Sequence, residues 1–457
     1  MLCKNFLSFI FLCGSAVSIA FAEKRPPYYP TVPHSSAVIP KGDGKRTVGY
    51  MGNWDIFARK YFVTDVPASQ LTHLIYSFGS VNNVTGEVQV AQPLDGKFIL
   101  TDTRILTDEW ADLQYPYPGD NSSIAAANTT NVYGNIKQMY LLKKKNRSLK
   151  TMLALLGWGL SPNFVPVLAS PTLRANFVSS AIKVMTDLGF DGLDMDYEYI
   201  TDATEAANMV SLLKDLRQAM DSLSTNGSSP YLLSYASPAG APKYSLMDFQ
   251  GMDKHLDFWN FMGYDYAGSW DAVSGHASNV FGSKDNPAST QFNTSSSIEH
   301  YIRVGGVSPS KINLGMPLYA RSFSNTQGPG KAYNNTGAAG SFDEAATWDY
   351  KALPLPGSNA TVYNLDIGAS YSYDPMSKLM ISFDTPKNAQ FKASWAQKMG
   401  LGGAMWWEIS QDQSGKESLI GTVVETFGGV QALEKSLNHL DYPTSKYENL
   451  RRGMPGC

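Results

Sequence analysis

Cysteine is almost missing from this chain: its 457 residues contain three, Cys3, Cys13 and Cys457. The first two fall in an N-terminal stretch where Lys4 precedes an apolar run from Phe6 to Phe21, closed by the small-residue pattern Ala20, Phe21, Ala22. Residues 1–22 therefore read as a secretory signal peptide cut after Ala22. The secreted product keeps only Cys457, a dangling terminal thiol, so no intramolecular disulfide is expected and a substantial core must carry the stability. A basic excess is missing as well. Lys and Arg number 37 against 40 Asp and Glu, a net charge of -3, and no basic cluster exceeds Lys143, Lys144 and Lys145. That excludes the electrostatic footprint of a nucleic-acid binder and leaves the lysine run to cap a helix C-terminus. Beyond the leader no apolar stretch is long enough to cross a bilayer, and the Arg451 to Cys457 tail is polar, so no membrane partner or lipid anchor is expected.

What is present is a globular composition, 43% hydrophobic and 17% charged, long enough for one large domain or two ordinary ones. Residues 23–46, rich in Pro, Ser and Lys, read as an extended lead-in, with order beginning at Thr47. Eight apolar runs then recur: Val48 to Met51, Thr72 to Gly79, Leu149 to Leu156, Phe190 to Asp196, Tyr231 to Ser237, Phe258 to Tyr264, Ile312 to Met316 and Gly402 to Trp407. Between them Asn131 to Lys145, Pro171 to Leu188, Ala203 to Leu223 and Ser295 to Val304 carry apolar residues at helical spacing. Strands alternating with helices predict an α/β fold, a (β/α)8 or TIM barrel, whose active site gathers at the C-terminal strand ends.

Two inserts break this rhythm. Asp102 to Thr130 is expected to form a loop over the barrel mouth, and Arg321 to about Thr385 a small α+β subdomain after the seventh strand. In a secreted product the sequons at Asn83, Asn121, Asn128, Asn146, Asn226, Asn293, Asn334 and Asn359 are candidate surface glycosylation sites.

The most informative stretch is Phe190 to Tyr199, FDGLDMDYEY. On a strand Asp194, Asp196 and Glu198 line one face, roughly 6 to 7 Å apart, while Leu193, Met195 and Tyr197 line the other. Three like charges on a buried face repel and lose hydration, so at least one carboxyl should hold its proton at neutral pH. A protonated carboxyl beside an ionised one is the raw material of a general acid for sugar hydrolysis. The plainer readings are a solvated edge strand or a calcium loop. The apolar and tyrosine neighbours argue against the first, and the Gly and Glu spacing of an EF-hand is not met.

With FDGLDMDYE in an apparent fourth barrel strand, the chain resembles the family 18 chitinases, especially the secreted fungal kind, over residues 47–453. The D-x-x-D-x-D-x-E signature is matched by Asp191, Asp194, Asp196 and Glu198. Supporting stretches are VGYMGNW, LTHLIYSF, NVYGNIKQMYLLKKKN, MGYDYAG, LGMPLYARSF and GGAMWWE. The resemblance implies retaining hydrolysis of chitin with the substrate's N-acetyl group as nucleophile, and neither metal nor cofactor. Glu198 would be the acid, Asp196 would orient the acetamide, Asp194 would share its proton, and Asp191 would support the strand end. Tyr264 matches a tyrosine that hydrogen-bonds the acetamide, with Met262 and Asp265 in the same wall. Trp407 matches the floor of the sugar subsite at the cut, Trp158 a platform on the leaving-group side, and Arg321 with Tyr319 a polar wall. Tyr50 and Phe78 match inward aromatics for which core packing and sugar contact are equally open. A monomer acting on chitin and chito-oligosaccharides is expected.

The departures lie close to the carboxylates. Where the family has S-x-G-G in the third strand, this chain has Ala154, Leu155, Leu156 and Gly157, so Asp194 is expected to lose a hydrogen-bond donor. Leu156 is expected to strain the barrel or displace the carboxylate strand, by roughly 1 to 3 kcal/mol. Tyr197, Ile200, Gly263, Ala320 and Trp406 are milder departures. Three functions compete: an endo-acting chitinase, a chitin-binding protein with weak or no hydrolysis, and an enzyme cutting the chitobiose core of N-glycans. The insert after the seventh strand argues against the last, because it deepens a cleft for linear polymers.

Overall fold

The computed structural model describes residues 44–89, 108–120, 130–223, 229–356, 358 and 361–455. The leader, most of the lead-in, Cys457, and the sequons at Asn121, Asn128, Asn226 and Asn359 lie outside the described residues. Eight strands follow in the expected order: β1 (Arg46–Gly52), β2 (His73–Val81), β3 (Lys150–Leu156), β4 (Gly192–Asp196), β5 (Leu232–Ser237), β6 (Phe258–Phe261), β7 (Ile312–Pro317) and β8 (Gly403–Trp407). All neighbours are parallel, and β1 pairs with both β8 and β2, which closes the barrel. The register sets Ala154 beside Asp194 and Leu156 beside Asp196.

The covering helices are α1 (Gly134–Lys145), α2 (Ser161–Ala169), α3 (Pro171–Leu188), α4 (Ala203–Leu223), α5 (Thr294–Arg303), α6 (Pro386–Lys398) and α7 (Leu419–Phe427). Helix α3 shows why the sequence fixes such bounds. Ser170 caps its N-terminus, Pro171 occupies the first turn, and Gly189 ends it at φ 76°. Its buried Phe177, Ala181, Met185 and Leu188 form the apolar stripe that packs on the barrel. Among the described residues no helix is long and apolar enough to cross a membrane.

Strand β6 stops at Phe261, three residues short of the expected Tyr264. The Met262 N–H makes one last bond to the Ser237 carbonyl at 2.9 Å, and the Gly263 N–H then turns back to the Phe261 carbonyl at 2.9 Å, so Tyr264 and Asp265 lie past the ladder. The insert after β7 begins at Tyr319 as a five-stranded antiparallel sheet in the spatial order Thr347–Asp349, Tyr319–Phe323, Leu379–Ser382, Ala369–Asp374, Thr361–Asn364. Its described helical turns, Ser341–Asp343 and Tyr350–Ala352, are short 3-10 segments. Of the first insert, residues 108–120 are described. There Asp112 accepts hydrogen bonds from Tyr76 and, at 3.4 Å, from Asn53, which ties the loop to the mouth-side end of β1. Asn83 and Asn334 are exposed, whereas the Asn146 amide donates to the Ala68 carbonyl at 2.7 Å and the Asn293 side chain caps α5.

The opposite end of the barrel is closed by the chain's last turns. Asn438 donates to the carbonyls of Lys143, Asn146 and Leu149 at 3.1, 3.1 and 2.8 Å. Lys143, expected at a helix C-terminus, lies in the last turn of α1, where it is fully buried and pairs with Asp191 at 2.9 Å. Its ammonium also donates to the Gly189 carbonyl at 2.8 Å and to Tyr442 at 2.7 Å. Asp191 accepts further hydrogen bonds from the Thr151 N–H and the His439 N–H, both at 2.7 Å. Removing one partner of such a pair strands the other charge in a dry site. Asp191→Ala should therefore lower the unfolding free energy by about 3 to 5 kcal/mol in urea titration, and a loss below about 1 kcal/mol would refute the clamp.

Candidate active site

Strand alternation sends Asp194 and Asp196 into the barrel and Leu193, Met195 and Tyr197 into the surrounding core. Asp194 is fully buried and meets donors from three other strands. Ser234 reaches it at 2.6 Å from β5, Tyr50 at 2.7 Å from β1 and Asn260 at 3.2 Å from β6. Burial raises its pKa while these hydrogen bonds oppose the rise. The expected loss of a donor at Ala154 is thereby corrected: Ser234 lies opposite Asp194 in the register and supplies one from the other side. Ala154 itself packs with Met152, Tyr50 and Met405 inside the barrel.

Asp196 has no comparable support. Its Oδ1 is buried and accepts no hydrogen bond within the protein, and burial, then Glu198, then Asp194 push its carboxyl well above the usual range. Glu198, half-buried just past β4, is pushed up to about 7, chiefly by burial, with Asp265 adding to the rise. The Tyr199 side chain and the Trp158 N–H act against it as donors to the carboxylate. The loop after β3 fixes this strand end: Ser161 Oγ accepts the Glu198 N–H at 2.9 Å and donates to the Gly157 carbonyl at 2.8 Å, while the Gly157 N–H donates to the Asp196 carbonyl at 2.8 Å. A carboxyl that keeps its proton near neutrality, held rigidly beside a second acid, can act as a proton donor.

Around the acids stands an aromatic floor. Trp407 stacks on Phe78 with ring centroids 5.6 Å apart and 22° between planes, and lies 5.6 Å from Tyr50 and 6.3 Å from Trp54. Of the two aromatics left open by the sequence, Tyr50 is 2% exposed and serves Asp194, whereas Phe78 is half-buried against Trp407. Trp158 is 71% exposed on the far side, 6.2 Å from Tyr199. Tyr264 donates to Met405 Sδ at 3.7 Å and stands edge-on to Tyr319, with half-buried Met262 packed against the same interior cluster. Asp265 is held by a two-pronged Arg321 fork at 2.8 and 3.0 Å and by the Tyr319 hydroxyl at 2.8 Å. The structure thus gathers every expected site residue except Asp191, whose carboxylate faces Lys143 and His439 at the base of the barrel and supports the strand from there.

The family model of the glycosyl hydrolases family 18 matches residues 46–412. The chain is 42% identical over 421 residues to Chitinase 1 of Aphanocladium album, spanning 92% of this chain and 93% of that protein. The chain belongs to glycosyl hydrolases family 18. Endochitinase 1 of Metarhizium robertsii is 41% identical over 419 residues, spanning 90% of this chain and 92% of its own. The catalytic domain of psychrophilic chitinase B from Arthrobacter TAD20 superposes with a TM-score of 0.74 at 28% identity, covering 84% of this chain and 95% of that one.

Several neighbours in this family 18 site escaped the sequence reading. Trp54 and Trp270 stood inside or beside quoted motifs, VGYMGNW and MGYDYAG, and exposed Trp270 packs under the Arg321 guanidinium at 5.2 Å. Ser161, Ser234 and Asn260 carried no motif signal, because their role arises from strand register and loop closure. Of the two outcomes expected at Leu156, strain or a displaced strand, the structure shows the first. The leucine leaves β3 and β4 in register but sits at φ 85°, a left-handed backbone where a bulky side chain is strained by roughly 1 to 2 kcal/mol. The same side chain is fully buried in the main core. Loss of a buried leucine, about 2 to 5 kcal/mol, outweighs the relief of strain. Leu156→Gly is therefore expected to be less stable by about 1 to 3 kcal/mol in chemical unfolding, and a gain would show that strain dominates.

Proposed function

We propose that this family 18 protein is a secreted endo-chitinase that hydrolyses β-1,4-linked N-acetylglucosamine polymers with retention, the substrate's acetamide serving as nucleophile. The observation that carries this reading is the Glu198 carboxyl, pushed up to about 7 next to Asp196, whose Oδ1 accepts nothing from the protein. Glu198 gives its proton to the glycosidic oxygen as the C1–O bond breaks, and the acetamide oxygen bonds to C1 to form an oxazolinium ion. Asp196 accepts the acetamide N–H and offsets the positive charge, with Asp194 as its proton-sharing neighbour. Tyr264 steadies the acetamide oxygen. Water then attacks C1 and gives a proton to Glu198 as the bond from C1 to the acetamide oxygen breaks, and the sugar leaves with its original configuration. Trp407 stacks under the sugar at the cut and Trp158 under the leaving side, each offering an indole face to the CH-rich face of a pyranose. The names of the fungal relatives support the choice of chitin. The N-terminal leader supports secretion, and exposed Asn83 and Asn334 are the described sequons we assign to glycans.

A second reading, a chitin-binding protein with weak hydrolysis, is favoured by one feature, Ala154 and strained Leu156 in place of S-x-G-G beside the carboxylate strand. Hydrolysis of a chitin tetramer separates the two. The native protein should cut it, and Glu198→Gln should bind alike but turn over about 100- to 10,000-fold more slowly. If neither protein cuts and both bind, the second reading replaces the first. The acid must carry its proton to work, so kcat should hold below about pH 7 and fall as pH rises through it. A profile that instead rises through neutrality contradicts Glu198 as the acid.

A further inference from the structure

Two aromatic residues of the sugar floor, Trp54 and Trp407, touch at 6.3 Å, and each is followed in the chain by an acid, Asp55 and Glu408. Both acids are buried, at 0% and 2% exposure, and their carboxyl groups lie within hydrogen-bonding reach of one another. Asp55 Oδ2 accepts the Gly52 N–H at 3.0 Å, while no donor reaches its Oδ1. Glu408 takes the Ser410 hydroxyl at 2.6 Å and the Ser410 N–H at 2.9 Å. Two carboxylates in contact with nothing between them repel, and a hydrogen bond between them requires that one carry a proton.

The surroundings decide that the proton stays. Arg59, from the same loop, lies 3.6 Å from Glu408 but is also engaged by Asp349 at 3.1 Å and Glu344 at 3.5 Å. Lys351 from the inserted sheet stands 3.5 Å from Asp349. Two cations thus face three carboxylates before Asp55 is added, and an ionised Asp55 would bring the anions to four. Tyr61, half-buried beside them, is held in its neutral form first by burial and then by Glu408 and Asp55, and Asp65 and Asp412 face it as further acids. Burial first, then Glu408, pushes Asp55 well above the usual carboxylate range, with Arg59 pulling the other way.

We propose that Asp55 is a positioning residue for the sugar floor, its carboxyl sharing one proton with Glu408 and so holding Trp54 against Trp407. The proposal rests on the reading of this cleft as a chitin site. The Trp54 indole folds over Gly52 so closely that a Cβ there would come within 2.4 Å of the ring, and the Gly52 to Asp55 turn is itself closed by the Asp55 carboxyl. Loss of the shared proton makes Asp55 and Glu408 repel and parts the two backbones that carry the indoles. The sign follows: the floor is intact while Asp55 is protonated and loosens as pH rises through its raised pKa.

The test uses the full chain with Glu198→Gln, which removes both turnover and the titration of Glu198, while Asp196 is common to every protein compared. Chitin-tetramer affinity by calorimetry and near-ultraviolet circular dichroism of the free protein are followed from about pH 4 to about pH 9. Affinity should fall roughly 5- to 30-fold as pH rises, with a parallel change in the tryptophan dichroism. Asp55→Asn keeps a neutral donor toward Glu408 and should lose the dichroism change, keeping only the smaller affinity change that Asp196 contributes to every protein compared. Glu408→Gln removes the charge opposing Asp55 ionisation and should move the transition to lower pH. An Asp55→Asn protein that titrates like its parent, or a parent with no transition, overturns the proposal. A parent whose dichroism shifts, with Asp55→Asn silent, but which binds no tetramer at any pH leaves the shared proton standing and removes the chitin reading of the cleft.

Discussion

Placing Asp194, Asp196 and Glu198 along one dry strand face sets the terms for everything built around them. Desolvation and mutual repulsion both favour protonation, and the protein answers differently at each step along the row. Asp194 is stabilised by three donors, Asp196 by none at Oδ1, and Glu198 by two at the rim. This uneven hydrogen bonding, more than the shared burial, is what separates the three carboxyls chemically. The donors to Asp194 come from β1, β5 and β6, so its support exists only once those strands are assembled.

The periodic parts of this arrangement were legible in the sequence. Eight apolar runs became eight strands, and the alternation of GLDMD placed Asp194 and Asp196 on one face, with Glu198 just past the strand end. The parts set by register were not. Ser234 faces Asp194 because β5 pairs with β4 at that step, and no local pattern in LLSYAS announces it. Lys143 was legible as a helix end, but not the Asn438 and Tyr442 that fold over it. Strand β6 reads as a seven-residue apolar run, but Gly263 allows a turn that lifts Tyr264 and Asp265 over the mouth.

Leu156 marks the limit of reasoning by substitution. Leu156 suggested either strain or a displaced strand, and the first holds: the ladder is preserved and the strain is confined to one backbone angle. Cores yield along the softest coordinate available, and at a strand end that coordinate is φ of the final residue, not the spacing of hydrogen-bonded strands. The carboxylates beside it therefore keep their geometry despite the altered neighbour.

The plug at the base has a consequence for how the molecule is made. β1 needs β8, about 350 residues later, before the ring of strands can close, and the carbonyls around Lys143 wait for Asn438, later still. During synthesis most of the barrel thus stands as an open sheet with unpaired edges and a dry lysine that has no cover. Such a chain reaches its final form late and all at once. Until Asn438 and Tyr442 follow β8, the Lys143–Asp191 pair lacks the partners that complete it.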